Sequence, residues 1–225
     1  MTPETTAADP EFEALRVRYL QVYLSAVTDA LDRRGLDHQW LGPAIKPLEP
    51  STVLFGWAFT VQWSSNPELV DPNRTSARML DALVPDHVVM IDTGSNPDVG
   101  YWGELCCNIS LRRRVRGVVI DGGLRDSPHV LRLGFPAFCK FTSPLEATGR
   151  SRVVRYQQPI FIGQVPIRPG DAVFGDLGGV VVIPREIVYD LIEEVEGIVG
   201  KENRLRRDIH EGISADEAIT RYGRI

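Results

Sequence analysis

Basic residues are in deficit: 25 Lys and Arg stand against 30 Asp and Glu, for a net charge of −5 and a pI near 5.4. A nucleic-acid surface ordinarily shows as a basic patch or stripe, so the balance argues against that class of partner. It leaves the charge of a substrate open, because a local cationic pocket can sit in an acidic protein. Cysteine is scarce as well. Of the three, Cys106 and Cys107 are adjacent and badly placed to bridge each other, which suits thiols kept in a reducing cytosol. Met1–Glu13 has neither a basic n-region nor an apolar h-region, and no uninterrupted apolar run reaches the length of a membrane span. The expectation is a cytoplasmic protein without membrane contact. There is no internal repeat and no convincing interdomain linker, so 225 residues read as one domain with a disordered lead-in over residues 1–10.

Apolar residues make up 43% and charged residues 24%, the balance of a folded, water-soluble chain. A broad apolar stripe from Phe12 to Arg34 predicts a helix that Gly35 stops. Val53–Trp63 is rich in β-branched and aromatic residues and predicts a strand. A short helix over Asn73–Leu83 and a buried strand over His87–Ile91 follow. Then come a loop rich in Gly, Asn, Asp and Pro (residues 92–103), a helix over Glu104–Arg113 and a buried strand over Val115–Asp121. Strand–helix–strand order favours a sheet with helical cover, an α/β fold. Short strands are expected over Ala137–Phe141, Ser151–Val154 and Pro159–Ile162, with Ala172–Phe174 paired to Val180–Ile183. Pro184 opens a long final helix that passes Gly197 and Gly200, and a short last helix starts at Ser214.

Chemistry concentrates after the strand that ends at Asp121. Gly122–Gly123 is read as a turn into Leu124-Arg125-Asp126, at the sheet edge where open α/β proteins bind their ligands. A carboxylate is a hard ligand suited to Mg²⁺ or Mn²⁺, and the adjacent guanidinium can grip a substrate carboxylate by a bidentate fork. A bare Arg-Asp pair also describes an ordinary surface turn. Glu104 weakens that bland reading, because Gly103-Glu104-Leu105-Cys106 opens a helix whose unpaired N–H groups attract anions. One corner would then offer an arginine, a helix N-terminus and two carboxylates, enough to bind a 2-oxo acid together with a metal.

The segment GELCCNISLRRRVRGVVIDGGLRD resembles the signature of the 4-hydroxy-4-methyl-2-oxoglutarate aldolases, which are grouped with the proteins called regulator of ribonuclease activity A. SAVTDALDRRG, GWAFTV, GFPAF, VPIRPGDAVFGDLGGVVVIP and KENRLRRDIHEG are similar to further stretches of the family pattern, so the resemblance runs along nearly the whole chain. It implies a three-layer β/β/α fold like the swivelling phosphohistidine domain, with helical N- and C-terminal extensions, assembled as a homotrimer or homohexamer. It implies Asp126 as the direct metal ligand and Arg125 on the substrate's carboxylate or carbonyl oxygen. Glu104 would orient metal-bound water, and backbone amides near Gly103, Leu105 and Cys106 would bind the carboxylate. Glu202 would reach the site from the C-terminal helix of a neighbouring subunit. Two departures stand out: Glu104 replaces an aspartate, and His129 stands where an acidic residue often follows the Arg-Asp pair.

The implied activity is a Mg²⁺- or Mn²⁺-dependent aldolase that releases pyruvate from a 4-hydroxy-2-oxo acid, with oxaloacetate decarboxylation as a companion reaction. The rivals are action on a different 2-oxo acid, a non-catalytic regulator that binds a ribonuclease, and a methyltransferase. The last lacks an adenosylmethionine-binding glycine loop. A Schiff-base route is not required, since none of Lys46, Lys140 and Lys201 lies in the signature. The remaining candidates have plainer explanations. Asp92, Asn96 and Asp98 suit turn capping, Asp121 either neighbours the metal or fixes the turn, and His38, His87 and His210 show no ligand spacing. Cys106 and Cys107 read as small hydrophobes. Trp102 reads as packing or pocket wall, and Arg112–Arg114 as a solvated helix end.

Overall fold

The computed structural model describes residues 9–65, 72–94 and 98–223. Asp9 accepts a hydrogen bond from Glu11 N at 3.0 Å, and Pro10 takes the first position of helix α1 (Pro10–Tyr19). Helix α1 thus includes Pro10, which composition assigns to the lead-in; residues 1–8 and Asn96 lie outside the described residues. The predicted N-terminal helix is two helices, α1 and α2 (Leu24–Arg33). Tyr23 between them is extended, and Leu24 N donates to Asp176 Oδ2 at 2.8 Å, so a carboxylate from the far end of the chain fixes the start of α2.

The apolar strands pair into one mixed sheet. β2 (Leu54–Ser64) is buried from Leu54 to Val61 and runs parallel to β3 (His87–Asp92), which runs parallel to β5 (Gly117–Leu124). β5 in turn runs parallel to β6 (Ala137–Thr142) and to the short β4 (Gly100–Trp102). β1 (Lys46–Pro47) lies antiparallel on β6, and β7 (Arg152–Tyr156) and β10 (Ala172–Asp176) lie antiparallel on β2. β11 (Gly179–Ile183) completes the order beyond β10. The sheet curls until its ends nearly meet: Leu41 N donates to Val180 O and Val182 N to Gln39 O, each at 2.9 Å, and Lys46 Nζ reaches Gly178 O at 2.9 Å.

Alternation along β2 divides the core. Leu54 and Ala58 point inside the curl with Val88, Met90, Val119, Phe138 and Val173. There the hairpin of β8 (Ile160–Ile162) and β9 (Val165–Ile167) adds Ile160, Ile162, Val165 and Ile167. Phe55, Trp57, Phe59 and Val61 point outward to the helices. Phe55 and Trp57 meet α1, α2 and α6 (Val188–His210), with Tyr19 stacked on Phe55 at 4.3 Å. Phe59 and Val61 share a second outer core with Met79 of α3 (Pro72–Asp81), Cys107 of α4 (Glu104–Arg112) and Val130 of α5 (Ser127–Leu133). Hairpin, sheet and helices are the three layers. Each large side chain so buried contributes about 1.5–3 kcal/mol. The last helix, α7 (Ala215–Tyr222), folds back on α6. Among the described residues no helix is long and apolar enough to cross a membrane.

Candidate active site

Gly122 and Gly123 are not the turn that the sequence suggests. β5 continues through both to Leu124, because β4 pairs alongside and crowds the strand. A Cβ on Gly122 would lie 2.9 Å from Thr93 Cγ2, and one on Gly123 would collide with Val99 O. The glycines therefore admit a close neighbour. The turn comes three residues later. Arg125 N donates to Trp102 O at 2.9 Å, which extends the β4–β5 pairing, and Asp126 then adopts the left-handed conformation with φ 55° and ψ 30°. That geometry costs a non-glycine residue on the order of 1 kcal/mol.

Asp126 is the N-cap residue of α5, yet its side chain caps nothing in α5. Its Oδ2 instead accepts from Glu104 N, the first amide of α4, at 3.2 Å. The α4 N-terminus favours a negative charge at that point. Gly103 permits the approach, since a Cβ there would lie 2.5 Å from Asp126 Oδ2 and 2.8 Å from Arg125 Cγ. Leu105 N and Cys106 N find no acceptor among the described residues, and Leu105 is 73% exposed. Two open amides therefore border the carboxylate.

The Arg125 guanidinium lies between two acids. Its Nε is 3.6 Å from Asp126 Oδ2 and its Nη1 is 3.5 Å from Glu146 Oε1, both longer than a normal hydrogen bond. Arg125 Nε is buried without a hydrogen-bond partner, an arrangement that ordinarily calls for an explanation. Glu146 escaped the sequence reading. It follows β6, the parallel neighbour of β5, and bridges to Gly100. Its only available signal was that position just past the carboxyl end of a neighbouring strand.

Gly103, Glu104, Leu105, Cys106, Arg125 and Asp126 therefore share one corner. The Glu104 carboxylate lies back along α4, hydrogen-bonded by Asn108 Nδ2. Glu202 is elsewhere in the chain: α6 packs chiefly on α2, and Tyr23 Oη, just before α2, donates to Glu202 Oε2, with Arg206 4.0 Å away. Asp121 pairs with Lys140 at 2.5 Å, and Asp92 accepts from Gly94 N and Gln62 Nε2 at 2.8 and 2.9 Å. Both are engaged outside the corner. Trp102 is core, 1% exposed, and His129 is an exposed residue of α5. Burial raises the Cys106 thiol above its usual range, although the Gly103 carbonyl and Arg125 pull it down; burial pushes Cys107 up to about 12 and Cys139 to about 11. None of the three is an activated thiolate.

A family model described as RraA-like, Aldolase/RraA, matches residues 24–182, and the chain belongs to that family. Protein DlpA of Legionella pneumophila subsp. pneumophila is 29% identical over 198 residues, which take up 87% of this chain and 32% of DlpA. The chain thus spans about a third of that relative's length. A protein of Halalkalibacterium halodurans named "Putative 4-hydroxy-4-methyl-2-oxoglutarate aldolase" is 30% identical over 194 residues, 86% of this chain and 88% of that one. Among solved structures, RraAS2 of Streptomyces coelicolor, described as an unusual member of the RNase ES inhibitor RraA protein family, matches with a TM-score of 0.80. It is 26% identical and is matched over 89% of this chain and 98% of its own.

Proposed function

We propose that the chain is a divalent-metal-dependent lyase that cleaves a 4-hydroxy-2-oxo acid, such as 4-hydroxy-4-methyl-2-oxoglutarate, to pyruvate and decarboxylates oxaloacetate at the same site. The observation that carries this reading is the use made of Asp126. Its carboxylate forgoes capping its own helix, sits on strained backbone and stays 38% exposed beside an unsatisfied guanidinium. A ligand explains that combination better than stability does. Family membership and the name of the H. halodurans relative support it.

Among the described residues no group of three or more His, Cys, Asp or Glu could hold a metal. A cage made wholly of protein ligands therefore does not fit. Mg²⁺ or Mn²⁺ held by Asp126 alone does, because such ions keep several waters and need only one or two carboxylates. Charge agrees: Asp126, Glu104 and Glu146 against Arg125 leave two negative charges, which a divalent cation balances.

Bound at Asp126, the cation supplies the charge that polarises the 2-oxo carbonyl. Arg125 sets a second positive charge, with unmade hydrogen bonds, against the same oxygen. The open Leu105 and Cys106 amides hold the C1 carboxylate. Removal of the 4-hydroxyl proton lets C3–C4 break, with C4 leaving as a carbonyl and the electron pair passing into the enolate that Arg125 faces. A proton delivered to C3 gives pyruvate. Glu104 and a Glu202 supplied by a neighbouring copy in a trimer or hexamer handle these protons through water.

A second reading, a non-catalytic regulator of a ribonuclease, has the description of the S. coelicolor relative behind it. It leaves the placement of Asp126 without a purpose. The discriminating measurement is pyruvate release from oxaloacetate and 4-hydroxy-4-methyl-2-oxoglutarate with Mg²⁺ or Mn²⁺. Turnover should vanish with chelator and return with metal. Turnover indifferent to chelator, or none across a panel of 2-oxo acids, overturns the lyase reading.

A further inference from the structure

Glu146 is the one acid of the corner to which the lyase chemistry assigns no work. Its backbone is tied twice: it bridges in parallel to Gly100 of β4, and its carbonyl accepts from Arg150 Nη1 at 2.9 Å. Its side chain is pinned as well, because Thr148 Oγ1 donates to Oε1 at 3.0 Å. The same Oε1 lies 3.5 Å from Arg125 Nη1. The Arg125 stem is confined in its turn. A Cβ on Gly100 would lie 2.7 Å from Arg125 Cβ, and one on Gly103 would lie 2.8 Å from Cγ and 3.3 Å from Cδ. Beyond Cδ two charges flank the guanidinium, Asp126 on the Nε side at 3.6 Å and Glu146 on the Nη1 side.

We propose that Glu146 is a positioning residue that keeps the Arg125 guanidinium in the corner when Asp126 carries its cation. The inference rests on the lyase reading for the occupancy of Asp126 and for the work of Arg125. A divalent cation on that carboxylate cancels its pull on Nε and sets two positive charges side by side. Among the described residues Glu146 is then the remaining acid paired with Arg125, and Thr148 and the Gly100 bridge hold it there. An exposed ion pair changes a folding equilibrium by at most about 5-fold. A displacement of about 1 Å at a reacting group can cost about 100-fold in rate. The pair therefore matters to kcat and hardly to the fold.

The test measures both binding and turnover. Glu146→Gln keeps the shape and removes the charge, whereas Glu146→Asp keeps the charge and draws it back by one methylene. With Mg²⁺ present, calorimetry compares pyruvate with oxalate, a dianion that imitates the enolate of pyruvate. Glu146→Gln should weaken oxalate about 5- to 10-fold and pyruvate by less than about 2-fold. Loss of a negative charge by itself would tighten the dianion, so the sign of the change reports the placement of Arg125. With oxaloacetate, kcat should fall about 5- to 10-fold in Glu146→Gln while KM stays within about 2-fold, and Glu146→Asp should keep kcat within about 3-fold of wild type. Equal weakening of both ligands, tighter oxalate, unchanged affinities or an aspartate variant no better than the glutamine one overturns the proposal. Wild-type turnover without the shift in the oxalate-to-pyruvate ratio defeats the positioning role alone. That shift without any wild-type turnover defeats the lyase reading alone. Binding of neither ligand by the wild type overturns both.

Discussion

At the start of α7, Ser214 Oγ accepts from Glu217 N at 3.2 Å while Glu217 Oε2 accepts from Ser214 N at 3.2 Å, so two otherwise unpaired amides are satisfied within four residues. At the start of α5, Asp126 occupies the same position with an equally good capping side chain. It turns that side chain to the first amide of α4 instead. One helix start is built for its own stability. The other gives up local stability to hold a charge where two helices and a strand end converge. Ser214 is extended, the conformation from which a side chain caps its own helix, whereas left-handed Asp126 points its carboxylate to α4.

The sharpest break in the comparison is to exchange charge while keeping backbone preference. Asn tolerates the left-handed region and can still accept from Glu104 N. Asp126→Asn should lower metal-dependent pyruvate release by about 1,000-fold, with unfolding free energy in urea within about 0.5 kcal/mol of wild type. A preserved rate would sink the site assignment, and a large loss of stability would make Asp126 a structural cap. Ser214→Ala should do the reverse. Hydrogen exchange across α7 should quicken about fivefold, the equivalent of about 1 kcal/mol, with turnover unchanged. The smallest effect is on pH. Hydrogen bonds from the Ser214 backbone and then its hydroxyl hold the Glu217 carboxyl below its usual value of 4.5. A depressed acid contributes stability above its unfolded pKa and loses it as pH falls through the folded one. Exchange in α7, corrected for intrinsic rates, should therefore quicken as pH drops below about 4.5, and Glu217→Gln should flatten that dependence. A profile as steep as wild type in Glu217→Gln would show that another group sets it.

The elements with strong periodicity were legible. β2, β3, α4, the β10–β11 pair and the long final helix fall close to their predicted ranges because local pattern and tertiary burial agree there. The break between α1 and α2 was not legible, since the apolar stripe runs through it and the decisive cap, Asp176, comes from the far end of the chain. Gly122–Gly123 misled for a related reason. A glycine pair signals backbone freedom and close approach alike, and only the position of β4 says which applies. In the candidate site, Arg125 and Asp126 are adjacent in sequence, and the α4 start joins them because both fall at loop–element junctions beside the sheet. Glu146 and Asn108 were not legible, because each matters only through a neighbour that folding brings to it.

The crowding of β4 against Gly122 and Gly123 ties the two halves of the corner to different foundations. Arg125 and Asp126 inherit their coordinates from a strand that no methyl group may enlarge, so that half is mortised into the body of the protein. Glu146 lies in the loop after β6, its side chain 59% exposed while its backbone bridges to Gly100. A substitution of the Glu146 side chain thus leaves the frame of the corner in place, whereas a single methyl group added at Gly123 would displace it.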